Sequence, residues 1–239
     1  MDIMAPVNRT IGIARMPTIA ARIRHELDRE TRLGSHTIVA GTNALYAYKA
    51  ASGTIIQRSF VATDDADLLW DTKQSLLVTA TGVRRASLMG ILRRVDKTFS
   101  ADYAMNAANS KGYIVDLICP QSEDFTTMKA GADIEATAMT GAEWLLASPQ
   151  MEETIVGADG HSLRIVGPEP RTYAWHKHWL SQRQDRKPAK RPRDRRHATI
   201  VAKLCKTYFG VAMDVKQTPW LPKELKAHIK PLTAEARAT

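Results

Sequence analysis

Three aspartates in this sequence are spaced as metal ligands would be. Asp65 and Asp67 lie in the segment ATDDADLLWD (residues 62–71), and Asp116 lies in GYIVDLICP (residues 112–120). Both segments are short and rich in branched apolar residues, which predicts buried β-strands. Side chains alternate along a strand, so Asp65 and Asp67 share one face. Because carboxylates on a buried strand need a compensating charge, and Mg²⁺ prefers such oxygen ligands, the spacing predicts a metal site.

A turn that could hold a phosphate precedes these aspartates. The run TIVAGTNALYAY (residues 37–48) predicts a strand, a tight turn at Gly41 and Thr42, and a helix that ends near Ser52, before Gly53. Gly41 permits close backbone approach, and the Thr42 hydroxyl lies beside the positive end of a helix. An ordinary capped helix shows the same pattern, and that reading stays open for the turn alone. The order of turn, Asp-x-Asp and a later strand-borne Asp favours the phosphate site.

The remaining elements predict an α+β chain. A polar turn leads into the Asp116 strand, a hairpin follows around residues 157–160, and the segment Gly167-Pro168-Glu169-Pro170 marks a passage to helices. We therefore expect an N-terminal, partly helical segment (1–30), a catalytic domain (31–167) and a basic helical domain (168–239). Predicted helices span 19–30, 83–97, 171–182, 194–209 and a short stretch between 222 and 231.

Charge is divided unevenly between the two halves of the chain. The net charge is +9, and residues 168–239 hold 17 Lys and Arg against 6 Asp and Glu, a net +11, which leaves −2 for residues 1–167. A basic half joined to a mildly acidic half suits an enzyme that binds a polyanion near a metal, although a solvated basic surface without a partner gives the same composition. Most basic residues from Arg183 to Arg196 are expected to lie individually in a solvated, partly disordered linker, and together they are expected to contact RNA.

Several function classes find no support in the sequence. No segment approaches the ~18 consecutive apolar residues of a membrane span, and the first 20 residues lack a signal-peptide pattern, so we expect a cytoplasmic protein without a membrane partner. Two cysteines are too few for a disulfide framework. His176 and His178 lie two positions apart on a predicted helix, face different ways and are expected to pack in the core.

The segments GTNALYAY, ATDDADLLWD, ILRRVDKTF, GYIVDLICP and YAWHKHWLSQRQDRKPAKRPRD together resemble a known family over roughly residues 33–209. The order of Gly-Thr, Asp-x-Asp and strand Asp is similar to the signature of the DNA polymerase β-like nucleotidyltransferase superfamily. The whole set resembles bacterial proteins related to the nucleotidyltransferases of abortive-infection and toxin–antitoxin systems. The resemblance implies a mixed sheet flanked by helices, followed by a helical C-terminal domain.

The resemblance also implies an activity and a set of site residues. Asp65, Asp67 and Asp116 would hold two Mg²⁺ ions, with Mn²⁺ as a substitute, and an NMP would pass from an NTP such as ATP to a hydroxyl acceptor. Lys177 matches a lysine that meets the triphosphate; Lys190 and Asp194 match residues near the nucleotide. The acceptor would be an RNA, such as the 3′ end of a tRNA, or a protein side chain. An antitoxin protein would be a partner if the chain is a toxin.

Two other classes of function use the same residues. A catalytically inactive nucleotide- or RNA-binding protein of this fold would bind NTP without transfer, whereas a metal-dependent phosphohydrolase would release nucleotide without labelling an acceptor. The complete set of three aspartates argues against the inactive binding protein. The Gly41–Thr42 turn argues against the phosphohydrolase. The interval between Gly41 and Asp65 is longer than in compact members of the superfamily, which predicts an extra strand pair there.

Overall fold

The computed structural model describes residues 4–10, 16–30, 33–35, 37–71, 87–102, 106–121, 134–223, 225–226 and 232. Within these residues, eight α-helices surround a mixed sheet, and the architecture is the predicted α+β arrangement with a helical C-terminal part. The helices are α1 (Met4–Thr10), α2 (Thr18–Arg29), α3 (Leu45–Ser52), α4 (Arg58–Val61), α5 (Leu88–Val95), α6 (Ala142–Ala147), α7 (Pro170–Gln182) and α8 (Arg191–Thr207). The strands are β1 (Thr37–Val39), β2 (Asp65–Trp70), β3 (Ser100–Asp102), β4 (Asn106–Ala108), β5 (Ile114–Pro120), β6 (Thr137–Met139), β7 (Gln150–Val156) and β8 (Ser162–Pro168).

The main sheet is built around β5. Its strands follow the order β1-β2-β5-β4-β3, and β6 pairs with the last residues of β5. The pair β2–β5 is parallel, while β1–β2 and β4–β5 are antiparallel, so the sheet is mixed. The parallel pair sets Asp67 directly beside Asp116. A separate antiparallel hairpin, β7–β8, confirms the hairpin predicted from the sequence.

The ends of several helices follow from local sequence. Gly53 ends α3 with φ +64°, a left-handed conformation that glycine adopts without a Cβ penalty. Ser87 caps α5 by accepting a hydrogen bond from the Gly90 amide at 3.1 Å. The carboxylate of Glu169 accepts from the Thr172 amide at 2.9 Å and so caps α7.

The chain between Gly41 and Asp65 differs from the sequence prediction. The expected extra strand pair is wrong: this interval contains a 3₁₀ turn over Gly41–Ala44, then α3 and α4. The first four residues of α3, Leu45 to Tyr48, are buried, and the Tyr48 hydroxyl donates to the Pro168 carbonyl at 2.8 Å. The interval is therefore long because it carries helices that pack behind the turn.

The basic stretch expected to be a loop is largely helical. A 3₁₀ turn occupies Pro188–Lys190, and α8 begins directly at Arg191. Proline in the first turn of α8 has no donor to lose there, which suits a helix start in this position. The helix predicted over 83–97 corresponds to α5, and residues 83–86 lie outside the described residues. Most of the short helix expected between 222 and 231 also lies outside them.

One hydrophobic core joins all three predicted segments of the chain. It includes Ile23 and Leu27 of α2, Leu68 of β2, and Val201 of α8, each at 0% exposure. The N-terminal helix α2 thus packs in the same core as the sheet and the C-terminal helices. The division at residues 30 and 167 stays a prediction. No helix in the described part of the chain is long and apolar enough to cross a bilayer.

Candidate active site

The three predicted aspartates lie on one face of the β2–β5 pair. Asp67 and Asp116 are register partners on adjacent strands, which places their backbones about 4.8 Å apart by ordinary strand spacing. Asp65 lies two residues before Asp67 and so points the same way. The alternate residues Ala66 and Val115 are fully buried on the opposite face. The sheet therefore brings together three carboxylates from two segments 50 residues apart.

Burial and mutual repulsion shape the charge of these carboxylates. Burial raises the pKa of Asp67, and Asp65 raises it further, whereas Lys177, Lys190 and Arg193 oppose the rise. Burial likewise raises the pKa of Asp116, together with the neighbouring charges of Asp67 and Asp65. Burial is the first cause for both groups, so a bound divalent cation would favour their charged forms.

The glycine turn fits closely against Asp67. Gly41 has φ +59°, and a Cβ placed on it would lie 1.6 Å from the Asp67 Oδ2 atom. Two hydrogen bonds fasten the turn to β2: the Ala40 amide donates to the Asp67 carbonyl at 3.0 Å, and Asn43 Nδ2 donates to the Asp65 carbonyl at 2.8 Å. Only glycine leaves room for the carboxylate in this position. Thr42 lies in the same turn and is 2% exposed.

The C-terminal helices reach the same turn. The Tyr173 hydroxyl on α7 donates to the Gly41 carbonyl at 2.9 Å. One turn further along α7, the Lys177 Nζ donates to Asp194 Oδ1 of α8 at 2.9 Å, and Arg186 Nε donates to Asp194 Oδ2 at 2.7 Å. Burial alone would raise the pKa of Asp194, but Lys177 and Arg186 outweigh burial and hold that pKa below its ordinary value. Asp194 is thus a buried anchor between two cations.

Several cations act on the carboxylates. Lys177 and Lys190, both predicted from the sequence, act on Asp67, and Lys190 also acts on Asp116. Arg193 acts on Asp67 and Lys187 acts on Asp116. The sequence analysis placed Lys187 and Arg193 in a solvated linker, and only the fold brings them near the carboxylates. A further cation, Arg24, lies on α2.

Arg24 is a buried cation that sequence reasoning missed. It lies on α2 at 0% exposure, and its Nη1 donates to the Ala20 carbonyl at 2.8 Å. Its Nε and Nη2 have no hydrogen-bond partner among the described residues. Burial lowers the pKa of Arg24, while Tyr113, Tyr46 and Asp67 favour its charged form. The helical period of α2 predicts a buried position, but nothing in the sequence indicates that the charge of Arg24 interacts with Tyr113 and Asp67.

The carboxylates are suitable ligands for a divalent cation. Hard oxygen donors at adjacent strand positions fit Mg²⁺. Among the described residues, however, no three His, Cys, Asp or Glu side chains are already gathered closely enough to hold an ion. The Asp65 carboxylate accepts a hydrogen bond from the Thr63 hydroxyl. A carboxylate has two oxygens, so this bond does not prevent Asp65 from binding a metal ion.

His176 and His178 do not join this site as a metal pair. Each is 2% exposed, and His176 packs against the contacting pair Trp144 and Trp179, with ring centroids 6.1 Å and 6.0 Å away. Burial, and then the charge of Lys177, lower the pKa of His176 to about 3. His176 is therefore a neutral core residue at physiological pH.

Comparison with known proteins gives one match. A family model described as nucleotidyltransferase matches residues 18–218, which include all the site residues above. No curated protein and no solved structure matches the chain significantly.

Proposed function

Because the chain belongs to this nucleotidyltransferase family, we propose that it transfers an NMP from an NTP to a hydroxyl acceptor with the help of Mg²⁺. The observation that carries the proposal is the register of β2 and β5, which sets Asp67 beside Asp116 with Asp65 on the same face. The Gly41 turn against Asp67 and the cations on α7 and α8 supply the surroundings that a triphosphate needs.

In the proposed reaction, an oxygen of the acceptor hydroxyl attacks the α-phosphorus of the NTP. A new oxygen–phosphorus bond forms, the bond from the α-phosphorus to the bridging oxygen breaks, pyrophosphate leaves, and the hydroxyl gives up its proton. Asp65, Asp67 and Asp116 would hold two Mg²⁺ ions. When bound, such ions polarise the phosphoryl oxygens and stabilise the attacking and leaving oxygens.

The chain's own cations would position the triphosphate. Lys177 is fixed by Asp194, so its ammonium group needs little reordering before it meets a phosphate. Lys190 and Arg193 lie near the same carboxylates and would offset the negative charge of the phosphates. We assign Asp194 the role of positioning Lys177, because it is fully buried beneath the two cations it binds.

The basic C-terminal half favours an RNA acceptor over a protein side chain. A toxin or defence role, with an antitoxin partner, rests on the sequence resemblance. A toxin role predicts that production of the protein arrests bacterial growth. Production of the Asp65→Asn/Asp67→Asn variant should not arrest growth. An NTP donor fits a reaction in the cytoplasm.

The test is transfer of label from NTPs that carry a radioactive α-phosphate. Each of the four NTPs is incubated with Mg²⁺ and with total RNA or cell protein as acceptor. We expect label on one acceptor class, and a loss of about a thousandfold or more in Asp65→Asn/Asp67→Asn, since stabilisation in phosphoryl transfer is mostly electrostatic. Asp185→Asn is the matched control, because Asp185 is exposed and forms its ion pair with Arg183, away from the carboxylates.

Two results would reject the proposed transfer. NTP binding without labelled product from any acceptor would favour the inactive binding protein. Release of nucleotide without acceptor labelling would favour the phosphohydrolase. Removal of divalent ions with a chelator should abolish transfer, and unchanged transfer in the chelator would reject the role of the metal.

A further inference from the structure

A cavity of about 560 Å³ opens beside the starts of the two catalytic strands. It is lined by the first two turns of α2, the C-terminal end of α5, the turn that precedes β5, and Asp64. Its volume lies within the range of small-ligand sites. Nothing in the proposed reaction uses these residues, so the cavity is available for a second ligand.

Two exposed cations, Arg22 and Lys111, line this cavity. Among the described residues, their side chains make no hydrogen bond and no ion pair. The charge of Lys111 acts on the nearby Asp96, whose carboxylate accepts from the Thr98 amide at 2.9 Å, the Thr98 hydroxyl at 2.7 Å and Asn109 Nδ2 at 3.2 Å. Two exposed cations at one cavity are suited to a phosphate.

The other walls suit the remaining parts of a nucleotide. Ile19 and Val95 are partly buried apolar residues, and the Tyr113 ring is 7% exposed at the same cavity. They offer an apolar surface for a base. Asp64 is exposed, and its side chain has no hydrogen bond among the described residues, so it can accept one from a ribose hydroxyl. A lone inorganic anion would use only the two cations.

The position of the cavity favours binding of the acceptor over binding of the NTP. Asp64 and Tyr113 have the strand parity of Ala66 and Val115, so they belong to the face opposite the carboxylates. Yet Asp64 directly precedes Asp65, and consecutive strand residues are only ~3.4 Å apart. A nucleic-acid strand bound in the cavity could pass around the start of β2, so that its end reaches the carboxylate face.

We infer that this cavity binds a nucleotide of a single-stranded RNA acceptor, close to the hydroxyl that reacts. Arg22 and Lys111 bind the phosphate of that nucleotide, and Asp64 accepts a hydrogen bond from its ribose. The inference rests on the proposed function and specifies its acceptor as RNA. It gives residues outside the C-terminal basic half a part in acceptor binding.

The first test measures RNA binding without NTP or Mg²⁺, so that catalysis plays no part. A short fluorescent single-stranded RNA is titrated with the wild type, with Arg22→Ala/Lys111→Ala, and with Arg29→Ala/Lys216→Ala. The last variant removes the same charges from exposed positions outside the cavity. We expect the cavity variant to bind about tenfold more weakly, and its slope of log affinity against log salt to be shallower by about 0.7 for one lost phosphate contact.

The second test uses the transfer assay. The cavity variant should raise KM for the RNA acceptor about tenfold and leave KM for NTP unchanged, while the control variant changes neither. Asp64→Asn should lower the affinity for RNA more than the affinity for a DNA strand of the same sequence. Only RNA carries the 2′-hydroxyl.

The outcomes separate this inference from the proposed function. Weaker RNA binding confined to the cavity variant supports the cavity, even if no acceptor is ever labelled and the proposed function fails. Labelled RNA with equal KM and affinity in all variants keeps the proposed function and overturns the cavity. Label on protein alone overturns the cavity's role as an acceptor site. A free nucleoside monophosphate that binds there as tightly as the RNA also overturns it, and indicates an effector site.

Discussion

Replacement of Gly41 by alanine tests the geometry of the site most directly. The new Cβ would lie 1.6 Å from Asp67 Oδ2 and 2.6 Å from its Cγ, whereas an ordinary contact is at least ~3.4 Å. The Asp67 carboxylate or the turn must therefore move by roughly 1.5–2 Å. A displacement of ~1 Å near reacting groups costs about a hundredfold in rate. We expect Gly41→Ala to lower transfer by at least about a hundredfold.

The stability of this variant should also fall, so its activity must be measured on folded protein. Alanine at φ +59° costs ~1–2 kcal/mol, and displacing the partly buried carboxylate adds an amount of similar size. Gly53→Ala is the matched control, because Gly53 also has a positive φ, +64°, but has nothing within 4 Å of the added Cβ. Gly53→Ala should lose ~1–2 kcal/mol of unfolding free energy and keep its activity.

The assay pairs denaturant unfolding with transfer of label from an α-phosphate-labelled NTP. Transfer is measured at a temperature where both variants are folded. Wild-type activity in Gly41→Ala would refute the idea that the turn and Asp67 form one site. Equal losses of activity in the two variants would show that backbone strain, and not the overlap with Asp67, causes the defect.

Further predictions concern the C-terminal helices. Lys177→Met leaves the buried Asp194 with one cation, and we expect a loss of about 3 kcal/mol in urea unfolding; a loss below ~1 kcal/mol would contradict a buried pair. Tyr173→Phe removes one hydrogen bond to the glycine turn and should cost ~1 kcal/mol, with a smaller activity loss than Gly41→Ala. Burial lowers the pKa of His176 to about 3 and of His197 to about 4. The unfolded chain therefore binds protons first as pH falls, and unfolding free energy should drop by about 2 kcal/mol between pH 6 and 5, a slope that His176→Gln/His197→Gln should remove.

The sequence was most informative where the physical cause is local. Alternation along a strand is fixed by the backbone, so the common face of Asp65 and Asp67 followed from their spacing. The end of α3 at Gly53 and the β7–β8 hairpin followed from turn residues in the same way. Family membership over residues 18–218 agrees with the motif order of glycine turn, Asp-x-Asp and strand Asp.

The sequence was misleading where local patterns are ambiguous. The interval after Gly41 carries helices instead of the expected strand pair, because its short apolar runs fit either element until packing decides. The basic stretch around Arg191 reads as a solvated loop by composition. It becomes helical because α7 and α8 pack together and bury the pair Lys177–Asp194 between them.

The sequence by itself determined which residue types lie on which strand face and where the glycine turn falls, since these depend on neighbours a few positions away. Only the tertiary structure decided that Asp116 lies beside Asp67, that Arg24 is buried near them, and that Lys177 is held by Asp194. Such pairings join distant parts of the chain, and they form only when many residues bury apolar surface together. Because this free energy is shared among distant residues, no local pattern predicts these pairings.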